Sequence, residues 1–315
     1  MKKFIKYITL IYNRTAYCVF QIIALVVLIL TLFSSCTSDS DLEVPDYKAK
    51  LVIHSFISPS DSFVRVNVST TINIYGKLQN YPLNLPVKVS FIDGDKILSL
   101  SPSDNSGTYS VLYHVQPGKE YQLKAVCEGY PDVSATCTVP LSNDFSISVD
   151  TLMNKETIDN SGIDPVTVKR DKAVVEFTDV PDQTNYYKIF CKGVSYFKKT
   201  YNSLADSAVY TFRQDTEEDE EYKNSKLISD HLIDGKVIIS SFICSELFYS
   251  NKDSFKIEGL LLETDVHYFK YHSSLLKYEG SDNPFVEFSG LYSNISGGYG
   301  IFGAYTIHKK VFRGK

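Results

Sequence analysis

Phe63-Val64-Arg65-Val66-Asn67-Val68 is the stretch that decides the fold class of this 315-residue chain. Val64, Val66 and Val68 fall on one side of an extended backbone, and Arg65 and Asn67 fall on the other. This is the period-two alternation of a strand with one buried face. Similar runs flank it at 51–57, 87–92, 96–100, 109–114, 121–126 and 133–139, with turn residues between them. Asp93-Gly94 predicts a two-residue hairpin turn, because Gly accepts the positive φ such turns demand. Pro117-Gly118 and Tyr130-Pro131-Asp132 predict further reversals. About seven short strands at this spacing predict an immunoglobulin- or fibronectin-like sandwich over residues 49–140.

Beyond it, residues 142–171 are polar, carry two weak strand signals and predict a domain junction. Strands are expected at 173–177, 186–191, 209–213, 236–242, 254–260, 286–292 and 301–308, which makes 141–315 a second β-rich domain. One helix is expected over 264–278, with Thr264 as cap, Asp265 in the first turn, Val266, Phe269 and Leu276 near helical spacing, and Gly280 as the stop. The expected fold is therefore mainly all-β: two β-sandwich-like domains, the second with one short helix. Composition agrees. With 43% hydrophobic residues the chain has enough apolar surface to fold, and 23 Tyr and 19 Phe without Trp suit half-buried pleated surfaces.

The amino terminus has a different logic. Residues 2–14 are basic and hold no acid, and 18–33 are apolar apart from Gln21 and Thr31. Basic charge followed by such a run reads as an export signal over residues 1–35. The run of 16 residues is shorter than the roughly 20 that span a bilayer. It ends in Leu32-Phe33-Ser34-Ser35-Cys36, where small residues before a Cys form a lipobox and make Cys36 the expected lipid attachment site and new amino terminus. Phe33 stands where Leu is commonest. Residues 36–48 are polar and acidic and read as a tether, with Pro45 keeping the chain extended. After cleavage the chain keeps 28 basic groups (32 less Lys2, Lys3, Lys6 and Arg14) against 37 acidic ones, a formal charge of −9. That balance disfavours nucleic acid and anionic leaflets, which reward clustered Lys and Arg, and favours cationic or neutral partners.

Four cysteines follow the tether. Cys127 and Cys137 lie on neighbouring expected strands, and Cys191 and Cys244 lie in apolar strands of the second domain. In an oxidising compartment these are the first-choice disulfides, with buried free thiols as the alternative. His267 and His272, five apart, fall on different sides of a helix and make no zinc pair. Six acids within 215–221 read as an exposed, self-repelling loop that lacks the spacing of a calcium loop. No GxSxG, HExxH or GKS/GKT sequence occurs, so no catalytic, metal or cofactor-binding residue is assigned and no enzyme is expected. A pocket gathering Asp, Glu and His would reopen a hydrolase reading. Gly298-Tyr299-Gly300-Ile301-Phe302-Gly303 matches GxGxxG, but only 12 residues follow, too few for the helix, strand and acid of a dinucleotide site. Close packing of strands is the expected role of these glycines.

The same segment carries a resemblance. Asn283-Pro284-Phe285 and the stretch from Tyr292 to Tyr305, with Asn294, Gly297, Gly298, Gly300 and Gly303, resemble the carboxy-terminal signature of a Bacteroidota outer-membrane lipoprotein family, domain of unknown function 4249. Lys50-Leu51-Val52-Ile53, Pro117 to Leu123, Asn185-Tyr186-Tyr187 and Tyr268 to Leu276 fit it along nearly the whole exported chain. Leu291-Tyr292 stands where the family more often has an aliphatic pair. The acidic tether also resembles export signals of surface lipoproteins in the Bacteroidota. The resemblance implies an outer-membrane lipoprotein, at the cell surface or on the periplasmic face, often encoded beside TonB-dependent transporters. It implies no cofactor, no catalysis and no known site residues. The expected function is a binding or accessory module for such a transporter, with a small ligand of unspecified kind. The alternative is an adhesin-like or structural envelope protein.

Overall fold

The computed structural model describes residues 48–314 apart from 73–85, 104–106, 142–147, 159–165, 197–206, 215–224, 245–253 and 280–289; of residues 1–47 it describes Gln21 and Leu25, both helical and exposed. Cys36 and the tether as far as residue 47 lie outside the described residues, as do Gly280 and the acidic run at 215–221. Among the described residues no helix is long and apolar enough to cross a membrane.

The first seven strands are β1 (Leu51–Ile57), β2 (Phe63–Thr70), β3 (Lys88–Asp93), β4 (Lys96–Pro102), β5 (Thr108–Leu112), β6 (Glu120–Val126) and β7 (Val133–Thr138). They form two antiparallel layers, β1-β2-β5-β4 and β4-β3-β6-β7, with β4 passing from one to the other. Burial along β2 alternates from Val64 to Val68 as its sequence demands. Leu51, Ile53, Val66, Phe91, Leu123 and Tyr121 fill the space between the layers. Each large side chain fully buried there contributes about 1.5–3 kcal/mol. The hairpin turn lies one residue later than Asp93-Gly94: Asp93 pairs with Lys96, and Gly94 and Asp95 make the bend, with Gly94 at φ +56°. The last residue of β3 is thereby freed to present its carboxylate to Lys119.

The second group comprises β8 (Ser148–Ile158), β9 (Val166–Thr178), β10 (Tyr186–Tyr196), β11 (Ser207–Gln214), β12 (Lys226–Ser229), β13 (Val237–Cys244), β14 (Ser254–Thr264), helix α1 (Val266–Glu279) and β15 (Tyr299–Gly314). One layer runs β15-β14-β10, with β11 and β12 sharing the far edge of β10; the other runs β11-β13-β9-β8. Between them pack Val175, Phe177, Tyr187, Ile189, Phe242 and Leu261. The two weak strand signals expected in 142–171 are β8 and the start of β9, which form a long hairpin. No strand forms at 290–292, and 286–289 lie outside the described residues.

Both groups share β15. Its first half pairs in parallel with β1, from Val52 with Tyr299 to Ile57 with Ala304. Its second half pairs antiparallel with β14, from Thr264 with Tyr305 to Phe255 with Gly314. Phe302 and Ala304, together with Ile295, belong to the first core. The chain's last strand thus finishes the sandwich that its first strand begins. Residues 48–315 accordingly form one compact unit.

Helix α1 lies across the junction of β1, β15 and β10 on a cluster of rings. Phe56 meets Tyr268 at 4.8 Å and stacks on His272 at 5.5 Å, and Tyr268 meets Tyr305 at 5.7 Å. Burial, with lesser help from Lys188 and His54, pulls His272 down to about 4. The cap of this helix is Asp265 and not Thr264. Thr264 ends β14, where its hydroxyl donates to Tyr186 O, while Asp265 Oδ1 accepts the Tyr268 N–H at 2.7 Å.

The expected disulfides do not form. Cys127, Cys137 and Cys191 are buried free thiols. The β6–β7 register sets Cys137 opposite Tyr121, six residues from Cys127 along the same strand, roughly 20 Å away. Cys191 and Cys244 are separated by β11, which places their Cα atoms about 10 Å apart, beyond the reach of a disulfide.

Candidate functional site

A cleft of about 320 Å³ opens where the end of β7, the start of β10, the end of β14 and the amino terminus of α1 meet. Its walls include Glu120, Thr136, Cys137 and Thr138 from the first sandwich and Gln183 to Tyr186, Glu263, Asp265 and His267 from the second. Glu263 is inside because the whole end of β14 from Gly259 to Thr264 is buried, and it shares the face of Leu261, which packs in the second core. Asp265 follows the last strand residue and caps the helix, so its carboxylate is fixed at the mouth of α1. Its Oδ2 is buried and accepts no hydrogen bond. Burial pushes the Asp265 carboxyl up to about 7, against the opposing pull of the Tyr268 N–H and neighbouring backbone amides. His267 is pulled down by burial and by Lys270; its Nδ1 shares a 2.8 Å hydrogen bond with Tyr292 Oη. Burial holds the Cys137 thiol well above its ordinary value, so it stays protonated and is no nucleophile.

A second cleft of about 470 Å³ adjoins the first across Gln183, Thr184 and Tyr186 and adds Asp182, Asp230, His231 and Asp234. Beside it, carboxylate oxygens of Asp179, Asp230 and Asp234 lie within 4.8 Å of one another. Such oxygens suit a hard divalent cation, but they are already engaged. Asp179 accepts from Tyr187 Oη at 2.5 Å and Gly235 N at 2.9 Å, Asp230 from Asn185 N at 2.6 Å, and Asp234 from Asp182 N at 3.0 Å. What these bonds accomplish is to tie the turn at 179–185 to the turn at 230–235.

Asn294 and the glycines of the carboxy-terminal signature pack against β1 and β7 of the first sandwich, while its Tyr292 meets His267 at the first cleft. Asn294 Nδ2 donates to Phe302 O at 2.8 Å and to Thr136 O at 3.2 Å, and its Oδ1 accepts the Phe302 N–H at 3.0 Å. One side chain therefore bonds β15 to β7 across the sandwich. The glycines mark close backbone approach. A Cβ on Gly300, at φ +114°, would stand 1.8 Å from Ile53 O, and one on Gly297 would stand 2.1 Å from Asp132 O. At Gly298 it would meet Leu51 O at 2.4 Å, and at Gly303 the Tyr268 N at 3.2 Å. The GxGxxG match is thus a strand pressed against β1 and α1. A family model described as a domain of unknown function, DUF4249, matches residues 37–311.

The chain belongs to the DUF4249 family. No curated protein matches it. Among solved structures the DUF4249 chain is similar to a Salmonella alpha-2-macroglobulin at 11% identity and a TM-score of 0.25, covering 85% of this chain and 15% of that one. It is also similar to carbohydrate-binding modules of the β-sandwich superfamily at 10% identity and a TM-score of 0.20, covering 70% of this chain and 94% of that one. A chitinase from Bacillus thuringiensis follows at 11% identity and a TM-score of 0.16, covering 58% and 24%. These scores are too low to transfer fold or function to the DUF4249 chain.

Sequence reading assigned no residue to either cleft. One signal was present: Glu263 and Asp265 close the run Leu260-Leu261-Leu262, and the strand period places Glu263 on the same face as Leu261. The scattered His residues meet different neighbours. His267 contacts Tyr292, whereas His272 contacts Phe56 and Tyr268.

Proposed function

We propose that this chain is an outer-membrane lipoprotein, anchored through a lipid on Cys36, whose β body is a binding or accessory module for a TonB-dependent transporter. The observation that carries the reading is the sequence from Leu32 to Cys36, which joins an apolar export signal to an acidic tether. Acyl chains on Cys36 contribute about 0.8 kcal/mol per buried methylene, enough for several chains to hold a folded domain at a membrane. The body then needs no membrane affinity of its own, in keeping with its acidic charge. The open cleft between the sandwiches supports a binding module over an adhesin-like or structural envelope protein, because small-ligand sites favour concave junctions of this size. The resemblance to Bacteroidota lipoproteins supports the transporter as partner. The test is copurification of the acylated chain from detergent-solubilised outer membranes. A TonB-dependent transporter is expected with it, and repeated recovery without one counts against the reading. A second reading rests on Asp265 and Glu263 lining one cleft, where burial raises Asp265 towards neutrality as general acid–base hydrolysis would need. Turnover of ester or glycoside probes that Asp265→Asn abolishes would support it; no turnover would remove it.

A further inference from the structure

We propose that the outer face of β10, β14 and β15 lies against the phosphate-bearing headgroups of the membrane that holds the anchor. This rests on the lipid at Cys36 and adds a second contact to it. Strand alternation builds the face. Tyr187, Ile189 and Cys191 of β10 and Ile257 and Leu261 of β14 point into the second core, so Lys188, Phe190 and Lys192, with Lys256, Glu258 and Leu260, point away from it. The register sets Leu262 between Lys188 and Ile307, Leu260 between Phe190 and Lys309, Glu258 between Lys192 and Val311, and Lys256 beside Arg313. Helix α1 covers one end of the face, where Tyr186 meets Phe269 at 4.8 Å and Lys188 lies over the Tyr268 ring. Past the helix the face is open among the described residues: Lys192, Ile307, Lys309 and Arg313 are exposed.

Charge decides the partner. Lys188, Lys192, Lys256, Lys309 and Arg313 share the face with one acid, Glu258, whose Oε1 already serves Lys309 at 2.8 Å and Lys256 at 3.0 Å. The local surplus is positive in an exported chain that is acidic as a whole, and the net charge hides it. By contrast, no Lys or Arg is among the described residues lining either cleft. Apolar groups sit among the basic ones. Lys192 lies over the Phe190 ring at 5.6 Å, and Ile307 and Tyr196 are exposed on the same side. Basic heads with apolar stems and neighbours suit a headgroup layer, which takes the charge at its phosphates and the apolar groups just beneath. An open sheet surface offers this pattern to a plane, not to a small ligand. Each Lys or Arg at an anionic surface strengthens attachment by about fivefold. Lys48 follows Cys36 by twelve residues, about 40 Å when extended, so the anchor leaves the body free to turn this face to the bilayer.

The chain contains no Trp, so a single introduced indole reports on one place. The acylated chain carrying Ile307→Trp is reconstituted in vesicles of phosphatidylcholine alone and in vesicles that also hold phosphatidylglycerol, each with and without brominated acyl chains. With phosphatidylglycerol the emission should shift to the blue and be quenched by the brominated lipid, and high salt should reverse both. Tyr196→Trp, on β10 two strands away, should respond in the same way and covers a failure of Ile307→Trp to fold. Ile239→Trp, exposed on β13 in the other layer, should stay water-like throughout. Adding Lys192→Glu and Arg313→Glu to Ile307→Trp should lose the quenching. Water-like emission from both face variants with phosphatidylglycerol, equal quenching at Ile239→Trp, or quenching that neither salt nor charge reversal removes overturns the proposal. Flotation of the same vesicles separates this inference from the anchor. A chain that floats with phosphatidylcholine yet is never quenched keeps the anchor and loses the face. A chain that carries no acyl group loses the anchor, and its flotation with phosphatidylglycerol then tests the face alone.

Discussion

In the first sandwich, Asp93 at the end of β3 meets Lys119 at 2.6 Å and accepts the Tyr113 hydroxyl, and these two bonds hold its carboxyl below the usual range. In the second, Asp265 just past the end of β14 is held by the Tyr268 N–H and neighbouring backbone amides, no Lys or Arg is among the described residues lining its cleft, and burial raises it to about 7. Asp93 closes a strand and Asp265 directly follows one, yet their protonation is pushed in opposite directions. The first arrangement joins the β3–β4 hairpin to the β6 entry and needs nothing further. The second keeps a carboxyl desolvated, and that desolvation is what raises it. The polar interiors differ in charge as well. Ser55 in the first sandwich is satisfied by Arg65 O, whereas the second encloses Asp179, Asp230 and Glu263.

The contrast can be broken most severely at β15, which both sandwiches share. Gly300→Val puts a side chain where Ile53 O already stands and should cost more than about 4 kcal/mol; thermal unfolding should show no cooperative transition of the parent kind, and a parent-like transition would refute the shared-strand account. Asp265→Asn comes next. A carboxyl raised in the folded state binds its proton more tightly there, so the parent loses stability as pH climbs from about 4 to about 7. That loss is on the order of 4 kcal/mol from a rise of about three units. The variant should equal or trail the parent near about pH 4 and exceed it by about pH 8, measured by urea unfolding at each pH. Asn294→Ala removes the link between β15 and β7 and should cost about 1–3 kcal/mol with little pH dependence, as read by the denaturation midpoint. Asp93→Asn is the smallest and has the opposite sign to Asp265. A carboxyl lowered in the folded state stabilises above its unfolded value and loses that contribution as pH falls through the folded one. The variant should be less stable by about 1 kcal/mol near neutrality, with the gap closing below about pH 4.

Much of the fold was legible because its strands obey local rules. Val64, Val66 and Val68 are buried as their alternation requires, and α1 lies within a residue or two of its expected span. Turn chemistry left a one-residue ambiguity at Asp93-Gly94, because Gly94 can take either central position of the bend. The disulfides failed for a reason absent from the sequence: strand register and the insertion of β11 set the Cys–Cys spacings, and spacing along the chain does not encode either. The double role of β15 was hidden in the same way, since parallel pairing with β1 joins residues some 250 positions apart. The clefts were the least legible feature. They assemble from β7, the turns at 182–185 and 229–234, the end of β14 and the start of α1, each contributing a few ordinary polar residues. The glycine signature, by contrast, announced close packing, and the contacts of Gly297, Gly298 and Gly300 with backbone oxygens give that packing its partners.

The central claim, a lipid-anchored binding module serving a transporter, is tested most directly by crosslinking in intact cells. A photoreactive residue at Gln183, on the wall shared by the two clefts, should capture a TonB-dependent transporter, and Cys36→Ser should abolish that adduct while the chain leaves the membrane fraction. Adducts that repeatedly lack any transporter, or a transporter adduct that persists unchanged without Cys36, would contradict the account.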